Sequence, residues 1–416
     1  MSSSVSFVIL SSTLVFLMTP GVGILYSGLS NSKNALHIFI LCMLSYVVVT
    51  IQWVIFGFSL AFSETGSSII GDFNYIGMKN IGLNAMTLTA PQVPSIVFAL
   101  YQLQFATVTV AIIFGATIER VKIFPALCFM FIWTTLVYDP VTYWTWGARG
   151  WIKNMSCLNT LTCGIGGIDF AGGGPVHISS GFSGLAYAYM LGKRNKINIM
   201  NHNIMNVFIG TGLLWFGWLG FNGSSALSAN ARAGMAMFVT TISASSGALT
   251  WVCIDAFRFK KFRAISFCCG ALSGLIGITP CAGYVAPWAS IVIGCLTSTS
   301  CYFGSKIKNV IGIDDTLDAF GIHGIGGLVG SILCGIFAQK FIGDLDGSIL
   351  LGGMIDGNYI QILYQLLGSI AIALYSFTIT LLILFCLKKV CKISLTNEEV
   401  AFGCDYIEMG EINIYM

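Results

Sequence analysis

Two of the four histidines in these 416 residues stand where an ionisable ring is costly. His177 closes the stretch DFAGGGPVH and His323 closes DTLDAFGIH. In each an aspartate, Asp169 or Asp315, precedes the ring by eight residues, and apolar sequence follows. An imidazole can donate and accept a hydrogen bond, pass a proton or ligate a metal. A metal needs a third ligand at suitable spacing, and neither segment supplies one. Passage of a small polar solute needs only the rings and a path beside them. Both segments are rich in Gly and other small residues, which leave such room and also let helices approach closely. Helix packing accounts equally well for one buried histidine. A matched pair favours a pathway, because intramembrane ionisable groups are expensive and line one by default. His37 and His202 follow Lys33 and the basic turn KRNKIN, and are expected at an interface.

Asp169 precedes FAGG at helix-start spacing, so its carboxylate either caps the first free N–H groups or draws a cation. Three aromatics lie among small and polar residues: Phe105 in YQLQFATVTV, Phe221 in WFGWLGFNGSSA and Trp146 in the loop segment YWTWGARG. Aromatic faces attract cations by ~0.5–2 kcal/mol. Such rings with one hydroxyl, for example Ser225, would hold a small cation that can only donate hydrogen bonds. Each ring alone fits packing or an interfacial belt as well.

The elements that must position these groups are membrane helices. The chain is 56% hydrophobic and 9% charged, against about 25% charged for soluble domains, so part of its surface must face lipid. The net charge of +3 is scattered, with no basic stripe for nucleic acid. Apolar runs long enough to cross ~30 Å of hydrocarbon recur throughout. The spacing predicts an all-α polytopic membrane protein with eleven transmembrane helices, near 5–27, 36–62, 95–118, 123–144, 169–192, 203–222, 233–256, 265–281, 287–304, 316–340 and 358–386. The first lacks a basic leader and is too long for a signal peptide, so it reads as a retained span. Of the 20 Lys and Arg, only Lys79, Arg149, Lys153, Arg232 and Lys340 fall on one side; the other fifteen fall on the opposite side. The positive-inside rule puts the fifteen in the cytoplasm, the N-terminus outside and the C-terminus inside.

His177 then enters from outside and His323 from inside, each about 12 Å deep if its eight residues are helical. Their spans end two five-span halves of opposite orientation, an inverted five-plus-five repeat with the site between the halves. Residues 1–386 form the transmembrane domain and 387–416 a cytoplasmic C-terminal tail. The cysteines are scattered without metal-ligand spacing. Cys157 and Cys163 share one polar loop, and either pair there or stay free.

The chain resembles the ammonium transporter family (Amt/Mep/Rh), Amt branch, over essentially its whole length. The resemblance rests on TPGVGILYSGLSNSKN, ATIERVK, DFAGGGPVHISSGFSGLAYAYMLGKR, WFGWLGFNGSSALSANARAGMA, GLIGITPCAGYV and DDTLDAFGIHGIGGLVGSI. It implies a homotrimer with one pore per subunit, conducting ammonium/ammonia, with methylammonium as a further candidate, and with no enzyme activity, no metal and no cofactor. It implies that His177 and His323 are the family's twin pore histidines. Trp146, Phe105 and Ser225 match its recruitment site, Asp169 its essential aspartate, and Phe221 and Trp218 its second gate and pore lining. Cys269 falls where a pore-lining serine often lies, Tyr101 replaces a phenylalanine, and Pro175 stands two residues before His177. The tail motif reads GCDYIEMGE, with Met409 in place of a histidine. The expected course is capture of NH4+ outside, loss of a proton near Phe105 and Phe221, and passage of NH3 past the histidines. The proton either returns or crosses through the imidazoles. The expected location is the plasma membrane. A sensor signalling through the short tail is the alternative, and a histidine-ligated metalloenzyme a third reading.

Overall fold

The computed structural model describes residues 2–82, 87–158, 166–194, 201–347 and 351–411. Among them every regular element is helical, apart from isolated backbone bridges at Thr87–Ala90 and Val121–Ser394. Eight helices are long and apolar enough to cross a membrane: α1 (Ser3–Leu29), α2 (Ser32–Phe62), α3 (Ser95–Ala116), α4 (Ile123–Trp146), α6 (Ile204–Ala226), α7 (Ala231–Phe259), α10 (Phe320–Phe337) and α11 (Ile360–Val390). Three further expected segments are helical but shorter or more polar. They are α5 (173–191), α8 (Ala264–Ile278) and α9 (Pro287–Gly304). At 1.5 Å per residue α8 spans only about 22 Å. The expected pair Cys157 and Cys163 lies outside the residues whose side chains are described.

The most enclosed span is α3, whose apolar window is 89% buried and which packs chiefly against α1, α2 and α5. Being enclosed all round, it needs no polar face and shows none. The other main pairings are α1 with α6, α7 with α8 and α9, and α5 with both α10 and α11. The crossing of α5 and α10 is backbone to backbone. A Cβ added at Gly181 would run into the Gly324 backbone, so any larger residue would push the two helices apart.

Four helix boundaries near the site or the tail differ from the sequence reading. The helices α5 and α10 begin at Gly173 and Phe320, four residues later than expected, because Asp169 and Asp315 are spent capping them. The 12 Å depth reckoned from eight helical residues therefore does not apply. Trp146 is the last residue of α4 and not part of a loop. The last helix runs on through Val390, past residue 386.

At the end carrying Asp318 the two histidine helices are tied together. Arg194, just beyond α5, donates from Nε and Nη2 to the two Asp314 carboxylate oxygens (2.7 and 2.8 Å) and from Nη1 to Glu119 (2.9 Å). Burial pushes the Asp314 carboxyl up, but the hydrogen bonds and charge of Arg194, with Arg120, outweigh it and hold it below the ordinary carboxylate value. The tail closes the same end. Asp405 accepts the N–H groups of Leu36 and His37 at the start of α2 (3.2 and 2.8 Å), and Glu408 accepts that of Ile123 at the start of α4 (2.8 Å). These are first-turn donors that a helix cannot satisfy by itself.

Candidate functional site

The site begins with a turn of glycines. The Asp169 carboxylate accepts the N–H groups of Gly172, Gly173 and Gly174 at 2.7, 2.9 and 2.7 Å. This wrap needs a left-handed residue, and Gly172 supplies it with φ +110°. A Cβ there would also meet Val176 and the Trp146 ring. The Asp169 carbonyl in turn accepts from the Trp146 indole at 2.8 Å. Asp169 is thus a cap, with both carboxylate oxygens committed to backbone. Asp315 repeats the device on α10, accepting from Ala319 (3.1 Å) and Phe320 (2.9 Å).

Trp146, Ser225 and Asp169 line one cavity of about 200 Å³. The expected fourth member, Phe105, lies beneath it. Its fully buried ring stacks on Phe221 with centroids 3.9 Å apart and planes 19° apart, and meets Trp146 edge-on at 5.9 Å. Two hydroxyls hold this plug: Tyr101 donates to the Phe221 carbonyl at 2.6 Å, and Ser225 donates to the same oxygen at 2.8 Å. Tyr101, the departure from the family pattern, is therefore fastened to the second ring. The cavity also holds two cations that sequence reasoning did not single out. Arg232 is paired with Asp346 at 2.9 Å. The Lys153 ammonium donates to the Trp146 carbonyl at 3.3 Å, and among the described residues no carboxylate lies within 4.0 Å of it. Burial lowers its pKa from the ordinary lysine value.

Beyond the plug a narrow enclosed space of about 10 Å³ lies between His177, His323, Trp218, Phe221 and apolar side chains. That is room for about one water-sized molecule. The two rings meet Nδ1 to Nδ1 at 3.2 Å, and His177 stacks on Trp218 at 5.3 Å with planes 20° apart. Trp218 is held by its indole N–H to Thr279 Oγ1 (2.8 Å), a partner with no signature in the sequence. Both histidines sit in π-helical turns, Gly173–Ile178 and Phe320–Gly324. Such wide turns concentrate at functional sites, and hydrophobic spacing does not announce them.

The Nδ1 contact has a chemical consequence. One ring must supply N–H and the other a lone pair. If both are neutral, the remaining Nε2 atoms then differ too, one a donor and one an acceptor. The His177 Nε2 is buried without a protein partner. Past His323 a third cavity, about 240 Å³, is lined by Cys269, Asp318, Thr316 and Arg263, and shares His323, Tyr26, Leu25 and Leu272 with the narrow one. The narrow, mostly apolar space thus lies between two larger cavities, one bordered by Trp146 and Asp169 and the other by Asp318. Among the described residues no three His, Cys, Asp or Glu side chains form a metal-holding group.

A family model described as Ammonium Transporter Family matches residues 6–414, and the chain belongs to that family. It is an integral, multi-pass membrane protein. Ammonium transporter 1 of Schizosaccharomyces pombe is 41% identical over 421 residues, 100% of this chain and 82% of that protein. The crystal structure of Candida albicans Mep2 matches with a TM-score of 0.89 at 38% identity, over 96% of this chain and 87% of that one. A structure described as a sensor Amt protein matches with a TM-score of 0.87 at 28% identity, over 98% of each chain.

Proposed function

We propose that the protein moves ammonium across the plasma membrane as ammonia. What carries the reading is the imidazole pair, in contact at 3.2 Å and lining a space for about one small molecule behind a stacked phenyl pair. NH4+ and K+ are similar in size, so a charged sieve would not separate them. A dry constriction penalises any permanent ion by several kcal/mol. NH4+ can leave its charge behind, and NH3 both donates and accepts, as the two unlike Nε2 atoms require.

In this reading the Trp146 cavity is the outer mouth. The Trp146 ring, the Phe105 edge and the Ser225 hydroxyl receive NH4+, and Asp169 holds the glycine turn and the indole in place. The proton is lost at the Phe105–Phe221 plug, and it either returns to the outer side or crosses through the imidazole pair. NH3 passes Trp218, His177 and His323 and leaves by the mouth lined by Cys269 and Asp318. The chain crosses the membrane eleven times as two inverted halves, N-terminus outside and residues 387–416 in the cytoplasm, and assembles as a homotrimer.

The test is methylammonium uptake by a transport-deficient cell expressing the protein. Uptake that ammonium inhibits and potassium does not is the expected result. Absence of uptake from a correctly inserted protein would overturn the reading, and is what a sensor alone would give.

A further inference from the structure

The backbone from Gly166 to Phe170 belongs to no helix, yet most of it is buried, and residues 167–170 wall the Trp146 cavity. Irregular backbone at such a place must find partners for its N–H and C=O groups elsewhere. Gly167 donates to the Ile152 carbonyl (2.9 Å) and Phe170 to the Pro280 carbonyl (3.1 Å). The Asp169 carbonyl accepts the Trp146 indole. Ile168, between them, is answered at both ends by one side chain. Its N–H donates to Gln365 Oε1 at 2.8 Å, and its carbonyl accepts from Gln365 Nε2 at 2.7 Å.

A side-chain amide carries the same donor and acceptor as a peptide group, so it closes this two-bond ring as a neighbouring strand would. The remaining capacity of Gln365 is also used. Nε2 donates toward Ser331 of α10, 3.2 Å from its carbonyl and 3.1 Å from Oγ. Oε1 accepts from Gln361, one turn back on α11, at 3.3 Å, and Gln361 donates to the Gly166 carbonyl at 2.8 Å. By contrast, the buried amides of Gln52, Gln102, Gln104 and Asn222 each leave the oxygen without a partner. A fully satisfied buried network holds its members in one arrangement. Gln365 thereby ties Ile168 to α10 and α11 at once. It stands behind the cavity wall and does not line the cavity. The next residue is Asp169, whose carboxylate wraps the glycine turn and whose carbonyl carries Trp146.

We propose that Gln365 is a positioning residue for ammonium capture: by fixing the Ile168 backbone it sets the Asp169 carbonyl, and through it the Trp146 indole, against Ser225 and the Phe105 edge. The proposal rests on the reading of the Trp146 cavity as the mouth that receives NH4+.

The test is methylammonium uptake by the transport-deficient cell, with rates taken per inserted protein. Q365L leaves both Ile168 groups unanswered, so half-saturation should rise about tenfold while the maximal rate stays within about twofold. Q361L removes a buried amide from the same helix but one that holds Gly166. It should lower the melting temperature comparably and move half-saturation less than about twofold. In a Trp146→Phe background, which has no indole N–H for Asp169, Q365L should add little, because a residue acting through that bond is not additive with its loss. If Q365L does not reach the membrane, Q365N takes its place with the same expected split. It keeps the amide but is one methylene too short to meet both groups. Unchanged half-saturation in the Gln365 variant, a loss confined to the maximal rate, or an undiminished factor in the Trp146→Phe background would overturn the proposal. So would an equal rise in Q361L, which would mark a general structural role. A wild type without uptake would overturn the ammonium reading itself, and this proposal with it.

Discussion

The segments that carry His177 and His323 share one plan and differ in what surrounds it. In each an aspartate caps the helix eight residues ahead of the ring, a π-helical turn follows, and the ring faces its counterpart. Around Asp169 the neighbours are glycine N–H groups, an indole and phenyl rings. Around Asp315 they include Lys308 and the Arg120–Asp314–Arg194 cluster. His177 is 1% exposed and stacked on Trp218, whereas His323 is 8% exposed and borders the wider cavity. The same local device thus brings the rings together from both sides. The surroundings make the Asp169 side richer in aromatic rings and the Asp315 side richer in ion pairs, so in the proposed path the two ends treat charge differently.

That contrast can be broken most forcefully at the caps. Asp169→Ala leaves three N–H donors unanswered at ~1–3 kcal/mol each, so uptake should vanish and the melting temperature in detergent should fall steeply. Asp315→Ala leaves two, and its drop should be roughly two-thirds as large. Equal drops would mean that the caps are not what distinguishes the segments.

A smaller effect is expected at the aromatic mouth. Lys153→Met removes a fixed positive charge from the cavity proposed to gather a cation. Half-saturation for methylammonium should move about two- to fivefold lower, with less change at high salt. A shift upward would show that Lys153 assists capture.

The smallest expected effect lies at the ionic mouth. The folded-state pKa of Asp314 is depressed, so its contribution to stability is full above about pH 4, the unfolded value. It is lost as pH falls through the lower folded value. Melting followed from neutral to acidic pH should show a dip that Arg194→Gln, by removing the principal ion-pair partner, reduces. A dip unchanged in that variant would remove Asp314 from the explanation.

Much of this was legible because it is written along the chain. Aspartate-to-histidine spacing, glycine runs and apolar lengths are local properties, and they marked His177, His323 and the helices that hold them. Asp169 stood open between cap and cation site; its three glycine N–H bonds make it a cap, and it also borders the cavity. What was hidden depends on convergence. Phe105 and Phe221 lie on α3 and α6, and only the fold shows their rings stacked. Thr279, Tyr101 and Lys153 gain meaning from partners 61, 120 and 7 residues away. The two π-helical turns conserve hydrophobic spacing on both sides, so periodicity passes over them. Trp146 was assigned to a loop because its segment is polar, yet α4 carries it to the cavity.

The central claim is that a dry constriction around two touching imidazoles admits only a solute able to shed its charge. The direct measurement is ammonium flux against potassium flux through proteoliposomes holding the wild type, His177→Ala or His323→Ala. Ammonium flux without potassium is expected in the wild type. Blocked flux or admitted potassium is expected in each variant, more severely for the ring stacked on Trp218. Wild-type rates and selectivity in both variants, or potassium passing the wild type as readily as ammonium, would contradict the claim.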